Sequence, residues 1–278
     1  QVAKENNVLC CVEYHKRFDP LYTDARDRGD SLGPFSFFNA TMTQPKAQLD
    51  TFKNWAGKSS DISYYLNSHH IDICAWIAGK SSRPTKVTAF AAMGAANKYL
   101  NVSDRKIEDT ITLTTEWENK EDGSKGIGIY TASWIAPKSD SHTQQNFHYC
   151  GQNGEIRVNQ ARRGYEMAMD DEQRPFANLT PVSMKYTPGK DGYFSGQNGY
   201  GYRSIERFVE VCQQMNDGKI TKEDVENMGD LATIESSARV TAILEAGRLS
   251  LDNSSRGVEL VYDKSAPFES EPTALRLF

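Results

Sequence analysis

The segment "DISYYLNSHHIDICAW" (61–76) sets two histidines and an aspartate into an otherwise apolar stretch. At about 100° per residue, a helix here brings Ile62, Tyr65, Leu66, His69, Asp72, Ile73 and Trp76 onto one stripe, while His70 turns away toward Ile77. Tyr65 lies four residues before His69 and Asp72 three after, which is side-chain reach on a helix. An imidazole oriented by a carboxylate is a general acid–base arrangement. The same spacing also suits a core histidine satisfied by Asp72, and spacing alone leaves both readings open.

Other chemistries find less support. A metal site needs three or more converging ligands. His69, His70 and Asp72 do not converge, and His142 and His148 have no ligand-like neighbours along the chain, so no metal is expected. There is no G-x-S-x-G elbow and no P-loop. The strings "GIGIY" and "GYGYRS" lack the strand-turn-helix context of a dinucleotide fingerprint. "HKRFDP" (15–20) sets His15, Lys16 and Arg17 where a parallel strand would end, a common place for ligands. "GYFSGQNGYGYRS" (192–204) mixes glycines and phenols ahead of a helix, which suits a ligand-lining or subunit-contact loop. It contributes Tyr202 and Arg203 as candidates.

These residues need elements to hold them. "QVAKENN" ends a helix and "VLCCVEY" (8–14) reads as a buried parallel strand. Asp19-Pro20 starts a short helix that stops at Gly29. Strands are expected at 33–44, 84–93, 108–117 and 126–136, the last two joined as a hairpin through "ENKEDGSK". A second hairpin spans 147–160 and turns near Asn153-Gly154. Period-2 alternation puts Ile111, Leu113, Thr115 and Trp117 on one face. The histidine helix runs from about 61 to 78, capped by Ser60 or Asp61 and stopped by Gly79. Residues 161–200 read as a long loop with short strands. The helix at 202–219 carries Ile205, Phe208, Val209, Cys212 and Met215 on one stripe. Thr221 and Asp224 form a capping box, a long helix spans 230–251, and 257–262 is a closing strand followed by a tail. This order gives an α+β fold, a mostly antiparallel open sheet with helices on one face. An apolar outer face would have to meet a partner.

Composition sets the bounds. The 278 residues are 38% hydrophobic and 25% charged, with 32 basic residues against 37 acidic. A chain of this length can bury a substantial core. No basic stripe is present, so nucleic acid is not an expected partner. No apolar run approaches the ~18 residues of a membrane span. Five cysteines form no C-x-x-C pair. Cys10, Cys11, Cys74 and Cys212 lie in apolar runs, which points to free thiols and a cytoplasmic location. The opening without Met, in mid-pattern, suggests a fragment or processed product.

Taken together, the motifs resemble the glucose–fructose oxidoreductase/inositol dehydrogenase/MocA family of NAD(P)-dependent oxidoreductases. "VEYHKRFDP" is similar to the family's last dinucleotide-domain strand with its R-F-x-P signature. "LNSHHIDICAWIAG" is similar to its G-x-H-x-x-D-x-x-x-W-x-x-G helix, matching His69, Asp72, Trp76 and Gly79. "EDTITLTTEWENKEDGSKGIGIYTASW" resembles its E-D hairpin, and "CGQNGEIRV" its G-x-x-G-x-I hairpin. The helix "YRSIERFVEVCQQMNDGK" resembles the one that closes over the family's site. The resemblance implies a remnant of a Rossmann domain at 1–19 and a substrate-binding and oligomerisation domain at 20–278. It implies His69 as acid–base, with Asp72 and Tyr65 beside it, and Arg17, Lys16, Tyr202 and Arg203 as substrate contacts. The implied substrate is a sugar, polyol or sugar acid, and the implied cofactor is NAD or NADP in the full-length parent. This chain, lacking the Gly-rich turn and the catalytic lysine of an E-K-P motif, is not expected to bind the cofactor tightly. A homo-oligomer formed through the open sheet face is expected. The family often carries Asp where Tyr65 stands, which keeps open a non-catalytic, sugar-responsive protein of the same fold.

Overall fold

A computed structural model describes residues 2–138, 143–160, 165–168, 176–179, 186–188, 194–197 and 199–278. Eight α-helices occur among them: α1 (Val2–Glu5), α2 (Pro20–Asp27), α3 (Gln48–Phe52), α4 (Ser68–Ala78), α5 (Ala95–Leu100), α6 (Tyr200–Asn216), α7 (Lys222–Met228) and α8 (Ile234–Asp252). The strands before α6 are β1 (Phe35–Pro45), β2 (Ser82–Met93), β3 (Glu108–Asn119), β4 (Lys125–Ala136), β5 (Gln144–Gly151) and β6 (Gly154–Asn159), then the short β7 (Tyr165–Ala168), β8 (Phe176–Leu179), β9 (Tyr186–Pro188) and β10 (Phe194–Gln197). β11 (Val258–Val261) and β12 (Ala274–Leu277) close the chain.

Eight strands form one open sheet in the order β12-β11-β2-β3-β4-β1-β5-β6. All neighbours are antiparallel except β1 and β4, which run parallel. The expected alternation holds: Ile111, Leu113, Thr115 and Trp117 are all buried. They join Phe38, Met42, Tyr130, Trp134 and Tyr149 in the core beneath α4 and α8. Gly247 of α8 lies so close to β3 that an added Cβ would sit 2.5 Å from Leu113 Cδ2, which is the local reason for glycine there. Asn119 pins the start of β1. It accepts from Phe35 N–H at 3.0 Å and donates to the Phe35 carbonyl at 2.8 Å, so both groups are satisfied in the interior.

Local signals located most boundaries. Asp19 caps α2 with Pro20 at its first position. Asp61 accepts from the amides of Ser63 and Tyr64 at 2.8 and 3.0 Å. Thr221 and Asp224 form a reciprocal capping box at α7. The histidine helix, however, opens with a π-turn at Ser63–Asn67 before α4 begins.

Four expectations need correction. Residues 8–14 do not form a ladder; they make one isolated antiparallel bridge, Cys11 to Thr233, because the neighbouring chain is a helix N-terminus and not a strand. The closing tail supplies β12, which pairs with the free edge of β11. The short helices α3 and α5 stand where no helix was expected. On α6 the apolar stripe is only half covered: Phe208 and Met215 pack on Val211, Val225 and Leu231 together with Leu9, Cys11 and Phe18, whereas Ile205 and Val209 remain exposed. No described helix is long and apolar enough to cross a membrane.

Candidate active site

A 3-10 turn at His15–Phe18 docks on α4 through one buried ion pair. Arg17 Nη2 and Nε donate to Asp72 Oδ1 at 2.6 Å and Oδ2 at 2.9 Å. Arg17 Nη1 donates to the Leu231 carbonyl at 3.2 Å. Its guanidinium carbon lies 5.3 Å from the centroid of Trp76, whose Nε1 donates to the Gly229 carbonyl at 2.7 Å. The planar fork suits this two-point grip on a carboxylate. Burial pushes the Asp72 carboxyl above its ordinary range while Arg17 pulls it down.

That pair overturns the expected partnership at the site. Asp72 holds Arg17, not His69, and Arg17 is occupied in joining elements. The π-turn separates Tyr65 from α4, and its hydroxyl accepts from Gln44 Nε2 at 3.3 Å while its ring packs on Phe52 at 4.6 Å. Tyr65 therefore makes no hydrogen bond to His69 among the described residues.

His69 instead faces the 3-10 turn and α6. Its ring lies 5.0 Å from that of His15 and 5.9 Å from that of Tyr14. His15 stacks on Tyr200 at 5.2 Å, 20° from parallel. His69 Nδ1 is buried with no partner among the described residues. Burial, then the charges of Lys16 and His15, push the His69 ring well below its ordinary value, so it is neutral near pH 7.

Lys16 is buried. Its ammonium donates to the side-chain carbonyls of Gln145 and Gln160 and lies 5.6 Å from the Tyr200 ring centroid. Gln160 in turn donates to Asp19 at 2.7 Å.

The carboxylate-oriented imidazole at this site is His15. Glu13 Oε2 lies 2.8 Å from His15 Nδ1 and accepts from the His15 amide at 3.0 Å, and Ser204 of α6 donates to the other oxygen. Burial raises the Glu13 carboxyl, but the bonds from His15 and Ser204 outweigh it and hold the group below its ordinary range. The sequence signal for this pair was the E-Y-H string, a carboxylate two residues before an imidazole. Tyr202 and Arg203 lie exposed beside a groove lined by Phe18, Glu206 and Arg207, so Tyr200 is the phenol the fold delivers to the site. An apolar cavity of about 150 Å³ adjoins Tyr14, walled by Val12, Phe18, Phe208 and Leu231 with Glu13 and Ser204 among its lining.

The expectation about His148 also fails. Cys150 follows it on the same face of β5, and Glu155 stands opposite Cys150 on β6.

The chain thus presents an open, mostly antiparallel sheet covered by helices on one face, with a histidine helix docked against an R-F-D-P turn. Residues 27–157 match the model of the GFO/IDH/MocA C-terminal domain. Solved structures share its fold. GenD2 from gentamicin A biosynthesis, in complex with NAD, is 17% identical with a TM-score of 0.61, over 94% of this chain and 66% of that one. An oxidoreductase from Sinorhizobium meliloti is 13% identical with a TM-score of 0.60, over 92% and 66%. The scyllo-inositol dehydrogenase from Lactobacillus casei with bound NAD(H) and scyllo-inositol is 16% identical with a TM-score of 0.51, over 90% and 65%. This chain thus spans just under two thirds of the length of these proteins. No curated protein matches the sequence.

Proposed function

We propose that this chain is the substrate-binding and oligomerisation portion of a cytoplasmic NAD(P)-dependent oxidoreductase acting on a sugar, polyol or sugar acid. The observation that carries the reading is the gathering of His69 with His15, Lys16 and Tyr200 from three elements distant in sequence, around an imidazole that burial and the Lys16 charge favour in its neutral form. A neutral imidazole can take the proton of a substrate hydroxyl as the carbon beside it is oxidised. Buried Lys16 disfavours a second positive charge nearby, which keeps that base unprotonated before the reaction. His15, oriented by Glu13 and partly exposed, is placed to hand a proton on toward solvent.

The mostly apolar lining of the cavity beside Tyr14 would suit the face of a nicotinamide, which when bound would supply the hydride acceptor. The sequence has no Gly-rich turn to cradle the phosphates, so tight binding of NAD+ or NADP+ by this chain alone is not expected. Calorimetric titration with both nucleotides tests that point.

The central test is turnover by the intact protein on a panel of polyols and sugar acids with each nucleotide. His69→Asn is expected to lower kcat by roughly 10²–10⁴-fold with little change in substrate affinity. Full activity in that variant removes His69 from the chemistry. A second reading, a non-catalytic sugar-responsive protein, draws support from the lack of any carboxylate or phenol bonded to His69 among the described residues. Saturable sugar binding with no turnover of any substrate on the panel would favour it.

A further inference from the structure

On the outer face of the sheet, at its β5–β6 edge, three side chains of different chemistry converge. His148 Nε2 lies 2.8 Å from Glu155 Oε2 and 2.9 Å from Cys150 Sγ, and Cys150 Sγ lies 3.7 Å from Glu155 Oε2. The arrangement follows from strand register and does not depend on side-chain rotamers alone. His148 and Cys150 are two apart on β5 and so share a face, while Cys150 and Glu155 are directly paired across the hairpin. The Phe37 ring packs edge-on against His148 at 5.6 Å, which fixes the imidazole plane.

One ring nitrogen faces both partners, and it can present either a lone pair or one N–H. Without an ion, an N–H from His148 and the S–H of Cys150 both donate to Glu155 Oε2. A divalent cation would instead take the nitrogen lone pair, the thiolate and the carboxylate together, and the three donor atoms converge on one point as such an ion needs. An ion about 2.0–2.3 Å from each ligand in a tetrahedron holds the ligand atoms roughly 3.3–3.8 Å apart. The Cys150–Glu155 separation of 3.7 Å lies in that range; the two His148 contacts, 2.8 and 2.9 Å, are shorter, and side-chain rotations must open them to admit the ion.

The geometry points to a zinc-binding site formed by His148, Cys150 and Glu155, with the fourth position open to solvent. The mixed nitrogen, sulfur and oxygen donor set suits a borderline-soft, tetrahedral ion over magnesium or calcium. Thiolate and carboxylate together supply two negative charges to the ion, one of them already paired with Arg157. Arg157 donates to Glu155 Oε1 at 3.2 Å and to Oε2 at 3.3 Å, so it orients the carboxylate from the side. The ion would staple the edge hairpin of the sheet. Because zinc binds the thiolate and not the thiol, its uptake should release a proton and strengthen as pH rises.

The test is calorimetric titration of the reduced, chelator-treated protein with zinc chloride, repeated with Co2+ as a spectroscopic probe. One equivalent of zinc is expected to bind, and Co2+ to give a thiolate-to-metal charge-transfer band. Cys150→Ser should abolish that band, and His148→Gln and Glu155→Gln should each weaken zinc binding by at least about tenfold. Cys10→Ser and Cys212→Ser should leave both readouts unchanged. Absence of saturable zinc uptake, or uptake and a cobalt band that survive Cys150→Ser, overturns the assignment.

Discussion

Arg17 and Asp72 form a two-point ion pair, 2.6 and 2.9 Å, with both side chains almost wholly buried. It fastens the turn carrying His15 and Lys16 to the helix carrying His69, so the position of the candidate base depends on that pair. Removing one partner strands a buried charge. Asp72→Asn is expected to lower the unfolding free energy by about 3–5 kcal/mol. Arg17→Met should be at least as damaging, because it also frees the Leu231 carbonyl. An apolar double variant, Arg17→Met with Asp72→Leu, should recover much of the loss. Urea denaturation midpoints at constant m-value measure all three.

Acid should weaken the fold through His70. Its ring is fully buried, packs edge-on to Phe147 at 6.3 Å, and has no partner on either nitrogen among the described residues. Burial, then the charge of Lys16, lowers it to about 3. The folded state therefore refuses a proton that the unfolded chain accepts below about pH 6.5. The stability of neutral His70 is fully present above that pH and is lost as pH falls toward 3, with a limiting slope of about 1.4 kcal/mol per pH unit. His70→Leu should flatten this acid limb in urea titrations run between those limits. An unchanged slope would show that the ring stays neutral for other reasons or is not buried.

Tyr65 provides a control for proton transfer. Its hydroxyl bonds Gln44 and not His69, so Tyr65→Phe should leave the pH profile of kcat unchanged. The stability loss should stay within about 1.5 kcal/mol, the value of one ordinary hydrogen bond. A displaced limb in the pH profile would return Tyr65 to the chemistry.

The outer sheet face leaves Phe90 and Ile127 exposed amid threonines of β1, β3 and β4. If copies of the chain meet through this face, Ile127→Asp should shift the mass measured by light scattering toward a single copy. The thermal midpoint should move little, since Ile127 takes no part in the inner core. An unchanged mass would place the interface elsewhere.

How much of this was legible beforehand follows from what is local. The alternation of Ile111, Leu113, Thr115 and Trp117, the Asp19-Pro20 start and the Thr221–Asp224 box are set by residues a few positions apart. The strands β1–β6 and β11 and the long helices were accordingly readable, whereas 8–14, read as a strand, makes only one isolated bridge. α3 and α5 were not, because five and six residues give too little periodicity. β12 was missed because "ALRL" becomes a strand only once β11 offers it an edge.

By itself the sequence determined the element types, the buried face of the sheet and the set of residues able to do acid–base chemistry. It left the pairings open, since a carboxylate three residues away on a helix competes with any guanidinium the fold delivers. Only the tertiary structure gave Asp72 to Arg17, oriented His15 through Glu13, and brought Tyr200 where Tyr202 was expected. It also set the β5–β6 register that gathers His148, Cys150 and Glu155. Those choices depend on contacts between segments dozens of residues apart, which no local period encodes.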